Sequence, residues 1–379
     1  MSHWLRGVRT GLGWTLGTVG AVAGLSAGAQ GSWALAALFA CLAVLSIPPT
    51  GRRCASLLSA SHPRVARAAL VALTVAAVAV ALLGSRPSSV YRTPEVRARL
   101  LTLYDQQMTR WPLAFEDVFL STPYGRVHVV ASGPAGAPPL LLLHASGIAS
   151  WSWRFNAEGL CRRFRCYAVD LIGDAGRSEY DTQDHVLRSG QDEADLYASI
   201  ADRLGLDRAY VVGASEGGFI ATNLAMYHPR RVRKLALLGP MGYAGATQAV
   251  LRIMLAQLFP VPAVQDRTFA WAFSDDATLQ RAFGEWFRLV MTGLRPVKVP
   301  PWPFSAAERR QLMVPVLFVF GRRDHLVGDP GRARALVEDV PEAEVRIVDA
   351  GHLMAAERPD EVNALLTAFF TEPDGAADR

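Results

Sequence analysis

The sequence predicts an α/β protein in which a mostly parallel sheet of eight strands is covered by helices on both faces. Beyond residue 115, apolar runs of strand length alternate with segments of helical spacing, and this alternation is typical of parallel sheets. The strand runs are continuously apolar, as expected for strands buried on both faces. In such a sheet, the functional loops lie at the carboxyl ends of the strands.

The strands and helices follow one another in a regular order. The strand-like runs are FEDVFLST, GRVHVVASG, PPLLLLHA, RCYAVDLIG, RAYVVGAS, RKLALLGP, VPVLFVFGRRD and AEVRIVDAGH. The helical segments between and after them are SWRFNAEGLCRRF, SGQDEADLYASIADRLG, EGGFIATNLAMYHP, GRARALVEDVP and a last helix near residues 361–370. Between the sixth and seventh strands lie about 70 residues, too many for a plain connection. The sequence therefore predicts one domain over 115–371, with a lid at 241–312, and a polar tail at 372–379.

The N-terminal part of the chain has a different composition. Its three uncharged apolar runs cover residues 12–29, 33–47 and 68–83. A chain in lipid satisfies its backbone as a helix and needs about 20 residues to cross the bilayer. We therefore expect a membrane region at 1–89 with two or three transmembrane helices, then a linker and short helix at 90–114. The first run also has features of a signal peptide, but the later two would still hold the product in the membrane.

The charge distribution indicates a lipid bilayer as partner and argues against nucleic acid. The net charge is +5, but residues 1–90 hold seven arginines and no acid. Removing these seven from the 39 basic residues leaves 32 against 34 acidic residues. The connection GRRCASLLSASHPRVAR holds four arginines, so it is expected in the cytoplasm, with the catalytic domain outside. Four arginines just past the third run weigh against this: Arg86, Arg92, Arg97 and Arg99.

Cysteine usage leaves the compartment open. Cys41 and Cys54 lie in the hydrophobic region, whereas Cys161 and Cys166 are five residues apart in LCRRFRCYAVD. This second pair fits either a small disulfide loop or two buried thiols. The spacings are not those of a metal site, so no metal is expected.

The stretch VVGASEGGFIA places a serine where a buried strand becomes a helix. Ser215 follows the apolar run RAYVV and precedes a small-residue helical segment. Gly213 and Gly217 allow backbone elements to pass closely around a strained turn. This context is the one a nucleophile elbow requires, so Ser215 is interpreted as a nucleophile rather than a turn residue.

A serine nucleophile needs a base and a group that orients the base. His352 follows the last strand, in the loop before the final helix, from which it could reach over the sheet. Asp324 ends the strand VPVLFVFGRRD and opens onto the same loop face. His325 competes for the role of base. The residues favour Ser215, Asp324 and His352 as the triad.

In this order and placement the triad resembles that of the α/β-hydrolase fold superfamily. The resemblance covers residues 115–370, and the loop LLLLHASGIASW is similar to the H-G-x loop of that family. It implies an oxyanion hole formed by the backbone N–H groups of Ser146 and Glu216. Ala145 stands where the family has glycine, and Asp174 stands where its D-x-x-G-x-G-x-S loop often has histidine.

The lid suggests the substrate class. It is rich in aromatic residues, namely Phe269, Trp271, Phe273, Phe283, Trp286 and Phe287. An apolar cover over a serine triad suits a hydrophobic acyl group, so a carboxylic ester is expected, with no cofactor. Glu216 either stabilises its helix N-terminus or disfavours anionic substrates. Thioesterase, lipase, carbon–carbon hydrolase and haloperoxidase-like activities stay open, as do a tethered binding protein without turnover and the oligomeric state.

Overall fold

The computed structural model describes residues 89–181, 185–243, 252–253, 256–257, 261–295 and 298–373. The three apolar runs, most of the lid segment 244–260 and residues 374–379 lie outside the described residues. The expected transmembrane helices fall in the first of these groups. No helix in the described part is both long enough and apolar enough to span a bilayer.

The core of the described chain is one mixed sheet. Its strands are β1 (Phe115–Thr122), β2 (Gly125–Ser132), β3 (Pro139–Leu143), β4 (Arg165–Val169), β5 (Glu179–Tyr180), β6 (Ala209–Ala214), β7 (Val232–Leu238), β8 (Val316–Gly321) and β9 (Ala343–Val348). Their order in space is β1-β2-β4-β3-β6-β7-β8-β9, and β5 pairs with β2. The pairs β1/β2, β2/β4 and β2/β5 are antiparallel, and the pairs β4/β3, β3/β6, β6/β7, β7/β8 and β8/β9 are parallel.

The eight predicted strands are all present, but the prediction of eight is short by one. The additional strand is β5, whose two residues pair with Gly125 and Arg126 at the start of β2. This strand is too short to show any periodicity in sequence. Its position depends on the loop that follows β4. The sequence of β5 and its neighbours therefore does not predict this strand.

Helices cover both faces of the sheet. Their bounds are α1 (Pro94–Met108), α2 (Arg154–Cys161), α3 (Gly190–Arg203), α4 (Glu216–Tyr227), α5 (Pro262–Ala272), α6 (Ala277–Gly293), α7 (Ala306–Arg309), α8 (Pro330–Ala335), α9 (Met354–Glu357) and α10 (Pro359–Thr371). Leu140 and Leu142 of β3 pack in the cluster that includes α1, α2, α6 and α10. Leu141 and Leu143 pack in the opposite cluster, with α3 and α4. Because successive strand residues point to opposite faces, every position of β3 had to be apolar.

The segment at 90–114 is more than the expected linker and short helix. Thr93 caps α1 through a bond from the Val96 N–H, and the helix runs for 15 residues. Leu100 and Tyr104 are fully buried in the main cluster. The buried positions of α1 recur every three or four residues, which is the stripe of an amphipathic helix. This helix is therefore part of the hydrolase core.

The second cysteine pair is a disulfide. Cys161 ends α2 and Cys166 lies in β4, with their Cα atoms 5.4 Å apart. The bond closes the short turn between the helix and the strand. Of the two interpretations that the sequence left open, the structure has the disulfide.

Candidate active site

Ser215 lies on a strained turn between β6 and α4. Its φ of 52° and ψ of −111° fall in a region that residues with a side chain rarely adopt. The turn is possible because the neighbouring backbones come very close. A Cβ on Gly213 would lie 2.3 Å from Gly217 O, and one on Gly217 would lie 2.3 Å from Leu143 O. Both positions therefore require glycine.

Asp324 and His352 form a buried hydrogen-bonded pair. Asp324 follows β8, His352 follows β9, and the distance from His352 Nδ1 to Asp324 Oδ2 is 2.8 Å. The other carboxylate oxygen of Asp324 accepts from the N–H groups of Leu326 and Val327 at 2.8 and 3.1 Å. Since a carboxylate only accepts, Nδ1 is the protonated ring nitrogen and Nε2 carries the lone pair.

Ser215 and this pair meet at the carboxyl end of β7. The Ser215 N–H donates to Leu238 O at 2.9 Å, at the last residue of β7. The next residue is Gly239, where a Cβ would lie 3.0 Å from Asp324 Oδ2 and 3.4 Å from His352 Cε1. His352 Nε2 is buried and has no hydrogen-bond partner among the described residues, so the bond to Ser215 is not formed here. Catalytic hydrogen bonds often tighten only when substrate is bound.

The predicted oxyanion donors also lie at this end of the sheet. The Gly217 N–H donates to His144 O at 3.2 Å, which joins the elbow to the loop after β3. Among the described residues, the N–H groups of Ser146 and Glu216 donate to no acceptor. His144 is a structural residue here, because its Nε2 accepts from the Leu171 N–H at 3.0 Å. Two free N–H groups are what an oxyanion hole requires.

Lys298 is the residue of this region that the sequence analysis missed. Its ammonium Nζ lies 2.7 Å from Ser146 Oγ and 2.7 Å from Asp174 Oδ2, and it also donates to Glu216 Oε2. Glu216 therefore faces a cation in addition to starting its helix. The only signal in sequence was a lysine in the apolar stretch PVKVP. Which carboxylates it would meet depends on the fold.

An apolar cleft opens beside His352. Its lining residues include Ile148, Ala214, Leu238, Phe283 and His352. Ten of its thirteen lining residues are apolar, and the other three are His144, Ser152 and His352. The cleft therefore offers a hydrophobic surface next to the unpartnered ring nitrogen.

Of the six aromatic lid residues, Phe283 lines this cleft. Trp286 is buried, and its Nε1–H donates to Gly147 O at 2.8 Å, which links the lid to the loop after β3. Trp271 stacks on the exposed ring of His325, with 5.0 Å between ring centroids. His325 is thus not part of the buried pair of Asp324 and His352. Phe273 packs edge-on against the ring of His352 at 6.0 Å.

The sheet order, the strand–serine–helix turn and the His–Asp pair define the class of α/β-hydrolase enzymes. The model of the alpha/beta hydrolase family matches residues 140–365. A carboxylesterase of Bacillus subtilis (strain 168), described as uncharacterised, is 30% identical over 305 residues, which cover 77% of this chain and 99% of the relative. This chain belongs to the α/β-hydrolase family.

Two further comparisons agree in name and fold. Carboxylesterase YbfK of the same organism is 29% identical over 293 residues, covering 75% of this chain and 97% of that protein. The crystal structure of naproxen esterase from Bacillus subtilis has a TM-score of 0.68 at 27% identity, covering 74% of this chain and 99% of the other. The predicted α/β-hydrolase fold is confirmed, and this protein is a hydrolase with carboxylesterase relatives.

Proposed function

We propose that this protein is a membrane-anchored serine hydrolase that cleaves carboxylic esters of hydrophobic acyl groups. The proposal rests mainly on the arrangement around the two ring nitrogens of His352. Its Nδ1 is held by a buried carboxylate, and its Nε2 has no partner among the described residues, close to a serine on a nucleophile elbow. Relatives named as carboxylesterases support the choice of ester.

The proposed reaction is acyl transfer in two halves. His352 Nε2 takes the proton of Ser215 Oγ while that oxygen attacks the ester carbonyl. The N–H groups of Ser146 and Glu216 bind the oxyanion, and Asp324 stabilises the imidazolium. His352 then gives its proton to the leaving alcohol. In the second half, it takes a proton from the water that attacks the acyl-enzyme and gives that proton to Ser215 Oγ, so that the acid is released and the serine hydroxyl is restored.

The acyl preference is inferred from the cleft beside His352. Ile148, Leu238 and Phe283 give it an apolar wall, and burying a hydrocarbon chain there is favourable by about 25 cal/mol per Å². A charged acyl group would lose its hydration without a partner on this wall. We therefore expect a neutral, hydrophobic acyl group.

The proposed location is a membrane, with the hydrolase domain outside the cytoplasm. The apolar runs of residues 1–89 are the reason for the anchor, and the arginine-rich connection between the second and third runs is the reason for the side. The disulfide of Cys161 and Cys166 supports the same side, because disulfides persist in oxidising compartments. A reporter fused after residue 373 should be found active outside the cytoplasm. If it is active only in the cytoplasm, the proposed side of the membrane is wrong.

Covalent labelling tests the catalytic proposal. A fluorophosphonate reacts only with an activated serine beside an oxyanion hole, so it should label Ser215, as located by peptide mapping. The unlabelled protein should also hydrolyse nitrophenyl esters. If thioesters are turned over faster than any ester, the protein is a thioesterase. If vinylogous diketones are turned over faster, it is a carbon–carbon hydrolase. Folded protein that is neither labelled nor active would be a tethered binding protein.

A pair of lid variants tests the acyl site. Phe283→Ala enlarges the cleft, so it should shift the preferred nitrophenyl ester to a longer or bulkier chain. Trp271→Ala is the matched control, because Trp271 stacks on His325 rather than lining the cleft. Equal changes across all esters in both variants would mean that Phe283 serves only the lid core.

A further inference from the structure

Lys298 joins parts of the site that come from three distant segments. Its three ammonium N–H groups are matched by three acceptors: Ser146 Oγ in the loop after β3, Asp174 Oδ2 in the loop after β4, and Glu216 Oε2 at the start of α4. Lys298 itself comes from the segment between β7 and β8. One side chain of the lid region therefore contacts both residues whose backbone N–H groups form the candidate oxyanion hole.

The contacts continue into the oxyanion loop. The carboxylate oxygen of Asp174 that binds Lys298 also accepts the Gly147 N–H at 2.7 Å. Its other oxygen accepts the Ala175 N–H at 2.7 Å. Lys298 thus fixes Asp174, and Asp174 fixes the residue next to Ser146. The direction of the Ser146 N–H is set by the same loop.

The charges of the cluster favour this arrangement. Burial alone lowers the pKa of Lys298, but Asp174 and Glu216 more than offset this and raise it above its usual value, so the ammonium stays charged. Burial, and then the charge of Glu216, raises the pKa of Glu193 to about 9. Glu193 is therefore neutral at pH 7. The ammonium also counters the field of the Glu216 carboxylate, which would otherwise oppose an oxyanion at the N–H of the same residue.

We infer that Lys298 is a positioning residue, which holds Ser146 and Glu216 so that their N–H groups point at one oxyanion. The inference rests on the proposed function, since it assigns a role in that acyl transfer. Lys298 touches no reacting atom. It acts through the two donors, so its loss should weaken transition-state binding more than substrate binding.

The test is Lys298→Met, with turnover counted per reactive serine. Exhaustive fluorophosphonate labelling gives the number of competent Ser215 hydroxyls, which removes the effect of any misfolded fraction. We expect kcat per labelled serine to fall about 10- to 100-fold, less than for the loss of a donor itself, with KM changed less than about threefold. The affinity for a trifluoromethyl ketone, which forms an oxyanion on Ser215, should fall in parallel with kcat/KM.

Two further variants separate positioning from folding. Lys234 is the other lysine of the chain, also buried, and it donates to the carbonyls of Phe369 and Glu372 at the opposite end of β7. Lys234→Met should lower the thermal midpoint without changing kcat per labelled serine. If Lys298→Met does not fold, the triple variant Asp174→Asn, Glu216→Gln, Lys298→Met removes the uncompensated charges. It should fold and keep the loss of turnover.

The outcomes distinguish this inference from the proposed function. If the parent is not labelled at Ser215, the acyl-transfer proposal itself is wrong. If the parent is labelled and Lys298→Met, or the triple variant, keeps kcat within about twofold per labelled serine, the positioning role is wrong and catalysis stands. If Lys298→Met has a reduced kcat but binds the trifluoromethyl ketone as tightly as the parent, the positioning role is also wrong.

Discussion

Two buried histidine–aspartate pairs lie in the described part of this molecule, and one of the two stands beside a serine on an elbow. In the first pair, His352 Nδ1 is 2.8 Å from Asp324 Oδ2; in the second, His128 Nδ1 is 2.8 Å from Asp170 Oδ2. The side chains of both aspartates are fully buried. By this distance and this burial the two pairs cannot be told apart.

The difference is at the second ring nitrogen. His128 Nε2 lies 2.8 Å from Asp117 Oδ1, so both of its nitrogens are occupied by carboxylates. His352 Nε2 has no partner among the described residues, and its ring lines the apolar cleft. An imidazole held on both sides cannot exchange a proton with a substrate group. The free nitrogen, rather than the pair, is what distinguishes a candidate base from a structural histidine.

The structural pair connects the core instead. Asp170 accepts the N–H groups of Ser150 and Arg177, both at 2.8 Å, in addition to His128. Burial alone would raise the pKa of Asp170, but His128 and the Arg177 N–H outweigh this and lower it to about 2. The Tyr104 hydroxyl of α1 lies 3.4 Å from His128 Nδ1. This pair therefore ties α1 and two loops to the sheet.

The largest expected effect comes from replacing the two histidines one at a time. His352→Gln should lower kcat by about a millionfold, because it removes the proposed base while leaving the fold. His128→Gln should leave kcat per folded protein close to that of the parent. Ester turnover per mole of folded protein, with the folded fraction taken from urea unfolding, measures both.

A double variant checks that the loss reflects a catalytic unit. Ser215→Ala with His352→Gln should be little worse than either change alone, because the two groups act together. If the losses of kcat in the two single variants add up, or if His352→Gln stays active, the pair of His352 has no catalytic role that distinguishes it from the pair of His128.

The second effect is on stability and concerns the aspartates. Asp170→Asn leaves His128 without a full partner in a dry site, so we expect the free energy of unfolding to fall by about 3–5 kcal/mol. Asp324→Asn should cost turnover more than stability, although less turnover than His352→Gln. Urea unfolding and titrated turnover on the same samples give both numbers. A larger stability loss for Asp324→Asn than for Asp170→Asn would contradict the assignment of roles.

Much of the fold could be predicted because it depends on local pattern. Strands buried on both faces must be apolar throughout, so the run LLLL at 140–143 could be read directly. The elbow serine could be placed because its turn requires Gly213 and Gly217. Asp324 and His352 followed from their positions after two strands. Their catalytic roles stay predictions until they are measured.

The features that the sequence does not predict depend on contacts between distant residues. Lys298 meets Ser146, 152 positions earlier, and no periodicity records such a contact. The role of His128 likewise depends on Asp170 and Asp117, which the sheet brings together. Helix α1 is a different case, since its buried stripe is present in the sequence. Its arginines are typical of an exposed linker, and they indicated the polar face of the helix rather than the buried one.

A third, smaller effect tests whether the scaffold around β4 can be weakened without harming the His352 site. Cys166 lies in β4, and Asp170 follows the end of that strand. Replacing Cys161 and Cys166 with serine should lower the free energy of unfolding by about 2 kcal/mol, as expected for so short a loop. A reductant should lower the thermal midpoint of the parent but not that of the variant. A matching loss of kcat per labelled serine would show that the two regions are coupled.

The smallest effect is the pH dependence of the structural pair. Burial by itself lowers the pKa of His128, but the hydrogen bonds and charges of Asp170 and Asp117 exceed this and raise it above its usual value. A histidine whose folded pKa is raised stabilises the protein fully below its unfolded pKa, about 6.5, and loses this contribution as the pH rises through the folded pKa.

The stability difference between the parent and His128→Gln should therefore be largest below about pH 6.5 and shrink as the pH rises above it. The other groups around the ring are the Tyr104 hydroxyl and Arg177, whose guanidinium lies 3.2 Å from Asp117 Oδ1. Asp117→Asn should reduce the pH dependence, because it removes one of the two carboxylates that favour the charged ring. Urea unfolding across this pH range measures both. A difference that grows with pH would mean that His128 is neutral between its two aspartates, and that hydrogen bonding alone distinguishes it from His352.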